Sequence, residues 1–138
     1  WRAVDHEGEV LEAIVTKRRN KAAALKFLKK LMKRHGKAET VITDRFASYK
    51  AAFRQLGALE KQRTGRWLNN RVENSHLPFR RRERAMQRFR RMRSLQKFAA
   101  VHSSVYNHFN QERSLTSRGT FKLTRTAALS EWRQLCSA

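Results

Sequence analysis

Between Gly36 and Gly57 runs a stretch in which every residue is β-branched, Thr40-Val41-Ile42-Thr43, closed by Asp44. A segment so short and so branched at Cβ is a poor helix and reads as a buried strand. Its neighbours are helical. Upstream, over Ala22 to Arg34, Leu25, Leu28, Leu31 and Met32 recur at helical spacing. Lys26, Lys29, Lys30 and Lys33 take the opposite face, and Gly36 marks the stop. Downstream, Ser48 to Leu56 reads as a second helix stopped by Gly57. A strand held between two helices needs a sheet to join. Trp1 to Asp5 and Val10 to Thr16 provide it, flanking a His6-Glu7-Gly8-Glu9 turn as a β-hairpin. The order hairpin, helix, strand, helix predicts an α/β domain with a mixed sheet flanked by helices.

From Trp67 onward the pattern is helical, with Pro78 the main turn signal. Met86, Phe89 and Met92 lie three apart within the cationic stretch Arg80 to Arg93. Leu95, Phe98, His102, Val105, Tyr106 and Phe109 then form one apolar stripe to the end of a long helix. Ser114 to Thr120 reads as a loop and Thr126 to Leu135 as a final short helix carrying Trp132. Neither an internal repeat nor a flexible linker divides the 138 residues, so one domain spans 1–138. Trp1 in place of a methionine, in what reads as mid-strand, marks the chain as a fragment or processing product.

Charge narrows the function. Thirty-two Lys and Arg against eleven Asp and Glu give a net charge of +21, far beyond what solubility requires. Such a surface seeks a polyanion: DNA, RNA or an anionic membrane. No apolar run approaches the roughly 20 residues needed to span a bilayer, and no signal-peptide pattern opens the chain. Nucleic acid is therefore the favoured partner, and the lone Cys136 fits a reducing cytoplasm.

Against this cationic background two acids stand out. Asp44 ends the apolar strand, and Glu73 lies within Asn69-Asn70-Arg71-Val72-Glu73-Asn74-Ser75-His76. Phosphoryl transfer on DNA commonly uses two divalent cations about 4 Å apart, held by clustered hard oxygen ligands. An aspartate at a strand end is rigidly placed, and a glutamate on a following helix can swing to meet it. Each acid also has a structural reading: Asp44 as a helix cap, Glu73 as a surface charge paired with Arg71 or Arg80.

The two segments together carry a resemblance. Val41-Ile42-Thr43-Asp44-Arg45, followed by Trp67-Leu68-Asn69-Asn70-Arg71-Val72-Glu73-Asn74-Ser75-His76-Leu77-Pro78-Phe79-Arg80-Arg81-Arg82, resembles the catalytic domain of bacterial insertion-sequence transposases of the DDE class. More narrowly, it is similar to the family whose members carry antibiotic-resistance genes between replicons. Trp1 to Asp5 and the helix around Ala22 to Leu31 match as well, so the similarity runs over essentially the whole chain. The resemblance implies a ribonuclease-H-like fold, DNA hydrolysis at transposon ends, strand transfer into target DNA, and magnesium or manganese at a two-metal site. It makes Asp44 the second carboxylate of the triad and Glu73 the third, both catalytic and metal-binding. It places His76 and Arg80 one and two helical turns beyond Glu73, facing DNA phosphates. His76 also has a structural reading as a helix-surface or core histidine.

The family's first aspartate is expected on a strand upstream of the hairpin, a position that falls before Trp1, the first residue of the sequence. Asp5 aligns with a non-catalytic position and has an adequate reading as a turn residue. Without that central strand the hairpin must pair directly with the Asp44 strand, stay detached from it, or borrow a strand from another chain. With one of three ligands missing, little or no catalysis is expected of this chain alone. The segment between Asp44 and Glu73 leaves little room for an inserted strand. DNA contact falls to His76, Arg80, Arg81, Arg82, Arg84 and Arg88, in the densest cationic stretch. Three readings follow: a DDE transposase core fragment acting in the bacterial cytoplasm at the nucleoid, a non-catalytic DNA-binding remnant that self-associates or pairs with intact transposase, and a basic RNA-binding protein.

Overall fold

The computed structural model describes residues 1–110 and 116–137. Two short strands open the chain, β1 (Arg2–Val4) and β2 (Val10–Ala13). They pair antiparallel as the expected hairpin, with a register shift between Ala3 and Val4. Asp5 closes the turn, its Oδ1 accepting the backbone N–H groups of Glu7 and Glu9 at 2.9 Å each. Its carboxylate satisfies its own backbone, which is the structural role anticipated for it.

Helix α1 (Lys21–His35) begins where Asn20 accepts the N–H of Ala23 and ends at Gly36, whose φ of 81° suits a residue without Cβ. It buries Ala24, Phe27 and Leu28. Strand β3 (Val41–Thr43) follows, then α2 (Ala47–Gln55), which buries Ala52 and Phe53 against α1. Trp1, Val41 and Tyr49 pack around this cluster and tie both sheets to one core.

The next element is a short strand that the sequence pattern did not pick out, within the segment expected to leave little room for an inserted one. After a 3-10 turn (Leu59–Lys61), β4 (Gln62–Thr64) pairs parallel with β3. Its sequence, Gln-Arg-Thr, carries no apolar signal; register with β3 and a Gln62 Nε2 donation to Thr43 Oγ1 at 2.8 Å define it. The strands thus form two two-stranded sheets, β1–β2 and β3–β4, where a single mixed sheet was predicted. Of the three arrangements foreseen for the hairpin, it takes the detached one: among the described residues β1 pairs with β2 and β3 with β4, and neither pairs with a further strand.

The C-terminal half is helical, as predicted, with different boundaries. Helix α3 (Asn70–Ala85) runs through Pro78, and the break comes instead at Met86–Arg91. There Gln87 and Arg88 adopt left-handed φ values of 60° and 66° without any glycine. Helix α4 (Met92–Phe109) lies across β2 and satisfies its outer edge with side-chain amides. Asn107 accepts from the Val10 N–H at 2.7 Å and donates to the Val10 carbonyl at 2.8 Å, while Gln96 does the same for Val15 N–H and Ala13 C=O. The last helix, α5 (Arg118–Ser137), starts eight residues before the predicted one. It absorbs the end of the expected 114–120 loop, whose residues 114 and 115 lie outside the described residues. Trp132 docks it on His108 and Phe109.

Candidate metal and nucleic-acid site

Asp44 sits at the exit of β3, exposed, one residue past the buried Thr43. Its Oδ1 accepts the Phe46 N–H at 3.2 Å, so it shapes the turn into α2 while Phe46 occupies the cap position itself. Its Oδ2 lies 3.7 Å from the Arg19 guanidinium. Arg19 stacks over the Phe46 ring at 4.5 Å and over Trp1 at 5.8 Å. Burial, with Asp44 as the next cause, pushes the Tyr49 hydroxyl up to about 12.

Glu73 is exposed in the first turn of α3, and its carboxylate has neither hydrogen bond nor ion pair among the described residues. The alternative structural reading, a pairing with Arg71 or Arg80, is not made among the described residues. Two residues on, Ser75 is buried against β1. Arg2 donates to its hydroxyl at 2.9 Å and to its carbonyl at 3.0 Å. Two consecutive residues reach the surroundings of the two acids: Trp1, just before β1, packs with the Arg19 and Phe46 beside Asp44, and Arg2, the first residue of β1, bonds to Ser75, two residues beyond Glu73. The carboxylates make no direct contact. Among the described residues no group of three or more His, Cys, Asp or Glu is placed to hold a metal ion.

The cationic residues separate into distinct settings. Arg80, Arg81 and Arg84 are exposed on α3 and fall on its Glu73 face by helical spacing. Arg82 instead lines a groove of about 470 Å³ against Phe98 and His102 of α4. Arg88 lies beyond the helix, in the left-handed turn. His76 is half-buried, edge-on to Phe79 at 5.4 Å. Burial, then Arg80 and Arg2, push its pKa from 6.5 to about 4, so at neutral pH it is an uncharged hydrogen-bonding group and not a cation for phosphate. Burial also lowers the pKa of His102, whose Nδ1 is buried without a hydrogen-bond partner.

Sequence reasoning missed Arg19, Arg2 and Trp67. The first two act through tertiary contacts that no periodicity announces. Trp67 is an exposed aromatic between arginines, a composition that could have flagged it.

These features describe an α/β, helix-rich cationic chain with two exposed acids, Asp44 at a strand exit and Glu73 in the first turn of α3. Residues 1–112 match the family DDE_Tnp_IS240, a DDE domain, and the chain belongs to that family. Among curated relatives it is similar to the transposase for insertion sequence-like element IS431mec of Staphylococcus aureus strain Mu50, and to the transposase for insertion sequence element IS257 in transposon Tn4003 of Staphylococcus aureus. Each is 36% identical over 81 residues, covering 55% of this chain and 36% of the relative. The chain therefore matches about a third of each relative's length. No solved structure matches. Among the described residues no helix is long and apolar enough to cross a membrane.

Proposed function

We propose that residues 1–138 are one unit of the catalytic core of a bacterial insertion-sequence transposase, with a ribonuclease-H-like ancestry to its two sheets. Its substrate would be DNA at transposon ends and at the target, met in the cytoplasm at the nucleoid, by an assembly of more than one copy. The observation that carries this reading is the match to a DDE domain over residues 1–112, a span that includes both Asp44 and Glu73.

Asp44 and Glu73 would hold divalent metal, magnesium or manganese. The donors fit in kind, being hard carboxylate oxygens, one exposed with a turn hydrogen bond from Phe46 and a long pairing to Arg19, the other without a partner among the described residues. In number they fall short, and a third carboxylate would come from chain beyond these residues. Bound divalent ions would supply activation of the attacking oxygen and neutralisation of the leaving one. The chain's own residues do the rest. Arg80, Arg81 and Arg84 hold phosphates along the Glu73 face of α3, while Arg82 on the α4 side and Arg88 in the turn beyond the helix would meet other stretches of the nucleic-acid backbone. His76 offers a neutral hydrogen-bonding nitrogen beside Arg80.

The test is the thermal response to manganese. A rise in Tm on adding Mn²⁺, abolished in both Asp44→Asn and Glu73→Gln and kept in Asp5→Asn, is expected. An equal response in all four chains would remove the metal assignment. Strand transfer by the 138-residue chain alone should be near background; robust activity lost in Asp44→Ala but retained in Asp5→Ala would refute the need for a further ligand.

A further inference from the structure

Two of the three tryptophans are packed: Trp1 among Phe27, Phe46 and Tyr49, and Trp132 on His108 and Phe109. Trp67 is different. It lies in the turn between β4 and α3, six positions before Glu73, and is 68% exposed. The Arg66 guanidinium stacks on its ring at 4.9 Å, and among the described residues no other ring or cation does. Leu68 folds back onto Gly65, where an added Cβ would meet Leu68 Cδ1 at 2.9 Å. The turn is therefore fixed by its own packing, without help from the indole. Arg63 and Arg71 are also exposed in this segment.

A large apolar ring left in water is unfavourable unless something covers it. What covers this one must suit a flat π-face with a guanidinium stacked on it and further exposed arginines in the same segment. A nucleobase does so, since any base can stack on an indole while arginines take the adjoining phosphates. Bases inside a duplex present no face, so the base must be unpaired. We infer that Trp67, with Arg66 behind it, is a stacking platform for an unpaired nucleobase of DNA at the approach to Glu73. The inference rests on the proposed DNA substrate and adds the form in which a nucleotide is held.

The experiment uses the full 138-residue chain in EDTA, with two DNA probes: a fully paired duplex, and the same duplex carrying a short single-stranded overhang that contains 2-aminopurine. Wild-type protein should bind the overhang probe more tightly and change the 2-aminopurine fluorescence. Trp67→Ala should abolish that change and weaken overhang binding about ten-fold, with duplex binding altered less than about two-fold. Trp67→Phe should keep most of the preference, and circular dichroism should show both variants folded. Several results would overturn the assignment: no preference in wild type, equal loss on both probes, or self-association that disappears in Trp67→Ala while DNA binding stays unchanged. An RNA overhang bound as tightly, with the same dependence on Trp67, would also overturn it by moving the site to RNA. Because these readouts need no divalent ion, a failed metal response leaves the stacking contrast measurable, and a failed contrast leaves the metal response intact.

Discussion

Arg19 shows how a single side chain can keep an acid available. An exposed ion pair at 3.7 Å contributes about 0–1 kcal/mol, too little to hold Asp44 against a divalent cation. The Arg19 guanidinium is positioned chiefly by its stacking on Phe46 and Trp1, so the aspartate can leave it without disturbing the core. His76 behaves oppositely, because its setting resists charge. With the folded pKa near 4 and the unfolded value at 6.5, the unfolded chain takes up the proton first. The stability it contributes is fully present above 6.5 and is lost as pH falls toward 4. Tm should therefore decline across that window, and His76→Gln should make the decline shallower. An unchanged slope would place the acid sensitivity elsewhere, with His102 next in line.

Among the elements, α4 depends on two amides spaced eleven residues apart. Asn107→Ala would leave the Val10 N–H and C=O without partners in a part-buried setting, at a cost of about 1–3 kcal/mol. Chemical denaturation should show it as a lower midpoint with the slope preserved. The hairpin, α1 and α2 were legible because periodicity and glycine stops agreed with the final packing. Strand β3 was legible as a strand from its β-branched run, but it is not the buried one expected, since Ile42 is exposed and Val41 half-buried. Strand β4 was not, since Gln62, Arg63 and Thr64 become a strand only by pairing with β3. The α3–α4 break was hidden for a related reason. Gln87 and Arg88 are ordinary residues held left-handed while Phe89 packs on Phe98, and no composition signals that. Helix α5 was foreshortened because only its second half carries the tryptophan that docks it.

Taken together, the charge of +21 makes salt the dominant control on any nucleic-acid complex. Binding to duplex DNA should weaken with a log–log slope of about −0.9 per phosphate contacted. Arg80→Ala and Arg84→Ala should each flatten the slope by roughly one contact. If both leave it unchanged, the phosphates lie on another face. The exposure of Asp44 and Glu73 agrees with their reading as candidate ligands, whereas the packing of their neighbours on Trp1 and Arg2 is a product of tertiary structure. The amides of Gln96 and Asn107 have one last effect. By occupying the outer backbone groups of β2, they leave the hairpin only the β1 flank on which another strand could add. Stacking of copies through β2 is blocked, so cross-strand aggregation of this hairpin has a dead end on one side.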